Sequence, residues 1–391
     1  MVNPGKFVEC LKAAGVDFFT GVPDSLLKSF CAYVADACGG DHVIAANEGG
    51  AVALAAGHYL ATGRPALVYM QNSGQGNAVN PLCSLADPDV YSIPMVLLVG
   101  WRGEPGVKDE PQHAKQGKVT LSLFETLGVP AEVLPDDGAA ALAAAQKMAA
   151  RAVAESRPVA LVVRKGLFAD YALQGKAPDI SPLRREEAIQ AVLESLGDEA
   201  VVVSTTGMIS REVYETRERL GQGHEKDFLT VGSMGHALMI ALGIARKCNE
   251  KNFNRYVVCL DGDGASIMQM GNMAIAGAAR QPNLIHIVLN NAAHDSVGGQ
   301  PTVGGQIDLA KAAEACGYYV ADKFEGGSVD DLKAMLRERI EQAIYSWACG
   351  EDDWQTTFIE IKVAKGARKD LGRPKEPPQV NKALFMETLS K

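Results

Sequence analysis

What the 391-residue chain lacks narrows its function before any motif is read. None of its eight cysteines (Cys10, Cys31, Cys38, Cys83, Cys248, Cys259, Cys316 and Cys349) falls in a C-x-x-C pair, and most sit among apolar residues. They read as reduced core residues, which argues against a disulfide framework or a zinc site. No apolar run reaches the roughly 18 residues a bilayer-spanning helix needs, and Met1 to Leu11 reads as the start of an amphipathic helix rather than a targeting segment. A soluble, cytoplasmic protein is expected. A basic excess is missing too: 38 Lys and Arg stand against 47 Asp and Glu, a net charge of −9 scattered along the chain. That argues against nucleic acid or an acidic membrane surface as the main partner and favours a small molecule. Low-complexity tracts are absent.

What is present is an end-to-end alternation of short β-rich runs and helical stretches, the signature of parallel sheets wrapped by helices. Strands are expected at 17–22, 42–47, 65–72, 94–101, 131–134 and 158–165, with the clearest helix over 139–156. From Leu167 to Pro182 the periodicity fades and Gly, Pro and Asp collect, which marks a linker. The alternation then restarts, with strands expected at 200–205, 228–231, 256–260, 284–289, 318–322 and 357–363. The predicted fold is α/β, two open doubly wound domains with mainly parallel sheets, 1–180 and 181–391. Ligands of such sheets bind beyond the carboxyl ends of the strands.

In "YVVCLDGDGASIMQM" the run Gly262-Asp263-Gly264 follows a buried strand and precedes a helix. Its glycines permit close backbone approach, and the helix start offers unpaired N–H groups to a phosphate. Asp263 is a hard oxygen ligand in that place. After 25 residues, "LIHIVLNNAAHDS" ends the next strand in Asn290-Asn291. A helix and a return strand fit the interval and bring carboxylate and amide oxygens to neighbouring strand ends, where Mg²⁺ takes oxygen ligands and substrate phosphates. An Asp-Gly turn alone is most often only a turn; the pair of motifs is far more specific.

This pattern resembles the thiamin diphosphate enzymes, whose signature is GDG, some two dozen residues, then NN. The resemblance implies metal ligation by Asp263, Asn291 and the main-chain carbonyl of Ala293, with Asn290 adjoining and able to share the duty, and cofactor contacts from Gly262, Gly264 and Ala265. "TVGSMGHAL" is similar to the family's segment around the cofactor rings, with the Gly232 carbonyl on the 4′-amino group, Ser233 beside it and Met234 as a wedge whose bulk carries no polar atom. "STTGMISRE" is similar to a loop at the diphosphate and makes Thr206 and Gly207 candidates. In the first half, "VIAANEGGAVALAAGHYLATG" holds a single carboxylate, Glu48, between a strand-like run and an alanine-rich helix. By itself it reads equally as an acid favoured by a helix dipole. By the resemblance it is the glutamate that meets the aminopyrimidine, and an apolar site favours the neutral carboxyl that shares a proton there.

The chain lacks the middle domain of the larger members and resembles their compact form. In that family the cofactor lies between the first domain of one subunit and the second of another, so a homo-oligomer, at least a dimer, is implied. The stretches 21–27, 109–117, 290–302 and 365–374 resemble the phosphonopyruvate decarboxylases, and the related sulfopyruvate decarboxylases share part of this; Ala292 departs from the glycine often found there. The implied substrate is a 2-keto acid with an anionic group at C3, and the implied setting is phosphonate (2-aminoethylphosphonate) biosynthesis. A dianionic phosphonate needs cations or backbone donors; Arg102, Lys108, Lys115, Lys118, Arg368 and Arg373 are candidates among which the sequence does not choose. For proton transfer the candidates are Asp24, His113, His294 and Asp295, with a helix cap as the plain alternative for Asp24. The competing readings are a sulfopyruvate decarboxylase, a thiamin diphosphate carboligase, and a non-catalytic protein that binds a nucleotide at the GDG loop.

Overall fold

Several strands in each half are continuous apolar runs such as MVLLVG, PVALVV and AVVVS, buried along their whole length. Such runs suit a parallel sheet covered by helices on both faces. In the computed structural model, which describes residues 1–175, 178–250, 255–349 and 355–390, they build two six-stranded sheets. The first comprises β1 (Phe18–Gly21), β2 (His42–Ile44), β3 (Ala66–Gln71), β4 (Met95–Gly100), β5 (Ala131–Val133) and β6 (Pro158–Val163), in the order β2-β1-β3-β4-β6-β5. The second comprises β7 (Ala200–Ser204), β8 (Asp227–Leu229), β9 (Tyr256–Gly262) and β10 (Leu284–Asn290). After the two-residue strands β11 (Ala293–His294) and β12 (Gln300–Pro301), it is completed by β13 (Tyr319–Phe324) and β14 (Thr357–Lys362). Its order is β13-β14-β10-β9-β7-β8. Every pairing in both six-stranded sheets is parallel.

Counted within its own half, each sheet has the same strand order, 2-1-3-4-6-5. The chain is therefore a structural duplication, and loops after equivalent strands are equivalent places. Side chains alternate between two cores on either face of each sheet. Along β4, Val96 and Leu98 join one cluster with Phe7, Phe30 and Leu161, while Met95, Leu97 and Val99 join another with Val52 and Phe124. Along β10, Ile285, Ile287 and Leu289 face one core of the second sheet and Leu284 and Val288 the other.

The chain divides into two compact units, Met1–Lys176 with Ser296–Gln300, and Ala177–Asp295 with Pro301–Lys391. Strand ends differ from the sequence reading by a residue or two, except that β2 stops at Ile44, three residues short. β8 starts at Asp227 and stops before Thr230; the buried Asp227 is paired with Arg217 at 2.9 Å and so can sit inside the sheet. The seven cysteines whose side chains are described are all free, but Cys83 is exposed, contrary to the core reading. Among the described residues no helix is long and apolar enough to cross a membrane.

Candidate active site

In the first unit the chemistry-bearing side chains follow β1 to β4, around the point where strand order reverses about β1, the place where open α/β sheets bind ligands. Glu48 opens the helix Glu48–Thr62, whose N-cap Asn47 accepts a bond from Gly50 N at 2.8 Å. Its side chain is only 5% exposed. Asn77 Nδ2 donates to its Oε2 at 2.7 Å, so the glutamate is not without a partner as the sequence suggests; the partner is neutral. Gly74 presses on the other oxygen: a Cβ at this position would lie 2.1 Å from Oε1. Burial raises the carboxyl's pKa and the Asn77 bond offsets only part of that. Burial thus favours the protonated form of this acid more than water would, which suits a group that gives and takes a proton.

Asp24, after β1, is fully buried and accepts from Leu26 N (2.7 Å), Leu27 N (3.2 Å) and Gln71 Nε2 (2.6 Å). Burial raises its pKa against these bonds and the pull of Arg102. The helix Lys28–Ala37 starts further on, with Leu27 at its cap position, so Asp24 closes the preceding turn rather than capping the helix itself. Arg102, after β4, is committed: it clamps Asp109 at 2.8 and 2.5 Å and donates to Ser25 Oγ at 2.8 Å. His113 opens the helix His113–Thr126, is buried, and its Nδ1 has no hydrogen-bond partner. Burial and the Arg102 charge push its pKa down, so the ring is neutral.

The second unit gathers its candidates at the equivalent strand ends. Asp263, 2% exposed, follows β9; Thr302 Oγ1 donates to its Oδ2, and burial pushes its pKa up to about 6. Gly304 closes over it: a Cβ there would stand 2.5 Å from Asp263 Oδ2 and 2.9 Å from Asn290 Oδ1. Asn290 ends β10 with its amide spent on Gly304 O (2.7 Å) and Glu360 Oε1 (2.8 Å), while its Oδ1 accepts from Ala292 N (3.0 Å). It therefore ties the Gly304 loop to the sheet, and its Oδ1, like that of Asn291, accepts one backbone bond. Asn291 donates to Asp295 Oδ2 (2.7 Å) and accepts from Ala293 N (3.0 Å). Ala292 between them has φ 54°, the turn that the family's glycine would make without strain.

Asp295 is not a free acid. Its Oδ2 also accepts from Arg185 (2.7 Å) and Gly366 N (2.9 Å), and Arg185 grips Glu212 with two bonds, 2.8 and 3.0 Å. His294 lies against Gly264, and burial pushes its imidazole down to about 4 against the pull of Asp295. After β7, Thr206 Oγ1 accepts from Gly232 N at 2.9 Å, which joins the two loops expected at the diphosphate and at the rings. Gly207 (φ 97°), Gly232 (φ 73°) and Ser233 (φ 49°) all have left-handed backbone, and Asn272 holds the Gly235 carbonyl at 3.0 Å. Met234 is half-buried and Ala265 buried, while Gly262 N bonds to Asp261 Oδ1 at 2.9 Å.

A divalent cation and a diphosphate suit these residues. Asp263 is a buried carboxylate with no cationic side chain paired to it among the described residues, next to an amide oxygen and a loop that packs on both. Sequence reasoning missed Gly74, Asn77, Arg185, Thr302, Gly304 and Glu360. Only Thr302 and Gly304 stood beside a motif that was singled out; the others carry no local signal.

Residues 6–123 match the family model "Thiamine pyrophosphate enzyme, N-terminal TPP binding domain", and residues 205–349 match "Thiamine pyrophosphate enzyme, C-terminal TPP binding domain". The chain belongs to the thiamin diphosphate enzymes. It is 34% identical to a phosphonopyruvate decarboxylase of Streptomyces hygroscopicus over 99% of this chain and 94% of that one. It is 34% identical to one of Streptomyces viridochromogenes over 97% and 92%. A sulfopyruvate decarboxylase of Methanosarcina acetivorans is 30% identical over 100% and 98%.

Proposed function

We propose that the protein is a carboxy-lyase that converts 3-phosphonopyruvate to phosphonoacetaldehyde and CO₂ with thiamin diphosphate and Mg²⁺, in phosphonate biosynthesis. The observation that carries this is near-complete alignment, at 34% identity, with two phosphonopyruvate decarboxylases, against 30% with the sulfonate-acting relative. Bound thiamin diphosphate supplies an electron sink for the pair released with CO₂. The first unit is the pyrimidine-binding domain and the second the pyrophosphate- and metal-binding domain. Asp263, Asn291 and the Ala293 carbonyl hold the metal; Thr206, Gly207, Gly232, Ser233, Gly262, Gly264 and Ala265 hold the cofactor, with Met234 as its apolar support.

Glu48 holds and moves a proton at a carboxyl oxygen. Its burial raises its pKa and so favours the protonated form, and Asn77 fixes its direction. His113 and His294, both neutral, and Asp24 are the groups for the closing proton transfer. Asp295 is excluded from that role by its pair with Arg185 and instead positions Asn291. Among the cationic candidates Arg102 and Arg368 are engaged with carboxylates. Lys108, Lys115 and Lys118 are exposed and are the cations we assign to the phosphonate; Arg373 is exposed too but has an interaction of its own. The enzyme works in the cytoplasm as a homo-oligomer, at least a dimer, as the shared cofactor of the family requires.

The test is direct: purified protein with thiamin diphosphate and Mg²⁺ is given 3-phosphonopyruvate and followed by ³¹P NMR. Cofactor-dependent appearance of phosphonoacetaldehyde is expected. Unchanged substrate overturns the reading.

A further inference from the structure

Beneath the cofactor cradle the second sheet gathers three polar side chains, Cys259, Asp261 and His286, on one face among apolar neighbours, with Asn290 and Glu360 further along the same face. Cys259 on β9 and His286 on β10 are register partners, and Asp261 stands two residues along β9. Register partners and residues two apart share a sheet face, so the three side chains project together. Their surroundings are Val201, Val203, Val257, Leu284, Val288 and Phe358. All three are at most 1% exposed, and the Sγ, carboxylate and ring-nitrogen atoms lie within 4.8 Å of one another.

Hydrogen bonding does not account for this cluster. Among the described residues neither ring nitrogen of His286 has a hydrogen-bond partner, although the ring is fully buried; Asp261 Oδ2 is 3.6 Å from Nε2. The hydroxyl of Tyr318, whose ring centroid is 6.1 Å from that of His286, is likewise buried without a partner. Buried polar atoms almost always find partners, and leaving them unpaired is costly.

We propose that Cys259, Asp261 and His286 form a structural site for a borderline-soft divalent transition metal of the zinc type. Thiolate, carboxylate and imidazole are zinc's ordinary donors, and Zn²⁺ favours a closed tetrahedron. Charge balance suits the burial: one thiolate and one carboxylate neutralise a dication, so the loaded cluster carries no net charge into the core. Binding forms a metal–sulfur bond and releases the thiol proton to solvent, with no change of oxidation state. Asp261 already accepts from Gly262 N (2.9 Å) and Ser266 Oγ (3.0 Å), and a carboxylate has lone pairs left for a metal. This site differs in kind from the oxygen-only one at Asp263, which suits Mg²⁺. Cysteine spacing excludes it in the sequence because the ligands come from two strands rather than a C-x-x-C turn.

The experiment uses the purified full-length chain in Mg²⁺ buffer. Zinc is measured per chain by mass spectrometry after loading and gel filtration, and the chain is separately loaded with Co²⁺ and its near-ultraviolet spectrum recorded. One equivalent of zinc and a thiolate-to-cobalt charge-transfer band are expected in the wild type. Both should be lost in Cys259→Ala and in His286→Gln and kept in Asp263→Asn. No retained zinc and no band in the wild type overturns the proposal, as does a band that survives Cys259→Ala. If both variants fail to fold, the wild-type measurements decide alone.

Discussion

Replacing Gly74 with Ala tests whether the placement of Glu48 matters as the structure implies. A Cβ at Gly74 would stand 2.1 Å from Glu48 Oε1, 2.4 Å from Cδ and 2.6 Å from Cγ, where real Cβ atoms do not come under 3.0 Å. The overlap runs along the side chain, so turning the carboxyl does not relieve it, and Glu48 must retreat by about 0.9 Å or more. A displacement of about 1 Å in a reacting group can cost on the order of 10²-fold in rate, or about 2.7 kcal/mol of barrier. The expected result is a kcat about 100-fold down, measured by coupling aldehyde release to NADH oxidation, with circular dichroism unchanged. Gly76→Ala is the control two residues on, where a Cβ meets nothing within 4 Å; it should keep full activity. A Gly74→Ala enzyme within twofold of wild type would refute the reasoning.

Three further outcomes follow from the same geometry. Because burial raises the Glu48 pKa above its ordinary 4.5, the protonated form is the one the fold favours. Its stabilising contribution is complete below 4.5 and is lost as pH rises through the folded value; in the cofactor-free protein the melting temperature of wild type relative to Glu48→Gln should therefore climb on acidification toward 4.5, and a pH-independent difference would contradict this. Arg185→Met leaves Glu212 and Asp295 buried and unpaired, which should cost about 3–5 kcal/mol in urea unfolding and raise the Mg²⁺ concentration needed for half-maximal activity through Asn291. Asp263→Asn should abolish the thermal stabilisation that thiamin diphosphate with Mg²⁺ gives the wild type, about 2.7 kcal/mol at a hundred times Kd; an undiminished shift would place the cofactor elsewhere.

The twelve strands of the two six-stranded sheets were legible in the sequence, the central ones because buried parallel strands are unbroken apolar runs. Asp227 shows the limit: an acid at the start of β8 reads as a loop until Arg217, ten residues back, is seen to pair with it in the core. The identical order of the two sheets could not be read at all, since periodicity says nothing of which strands are neighbours. At the site, Asp263 with Asn291 was legible because the two lie at fixed places on adjacent strand ends. Thr302 reaches Asp263 39 residues on, and Gly304 and Glu360 reach Asn290 14 and 70 residues on, only once the chain has returned to the strand ends. Asn77 and Gly74 meet Glu48 in the same way, from the turn and helix after the next strand. Of the charged candidates, the sequence shows that Arg102 is a cation but not that Asp109 holds it.

The most direct test of the central claim is the ratio of kcat/KM for 3-phosphonopyruvate to that for sulfopyruvate, with pyruvate as the third substrate, all with saturating thiamin diphosphate and Mg²⁺. The account predicts a clear preference for the dianionic phosphonate and the weakest turnover with pyruvate. Equal or better turnover of sulfopyruvate would contradict it, even with Glu48 and Asp263 acting as described.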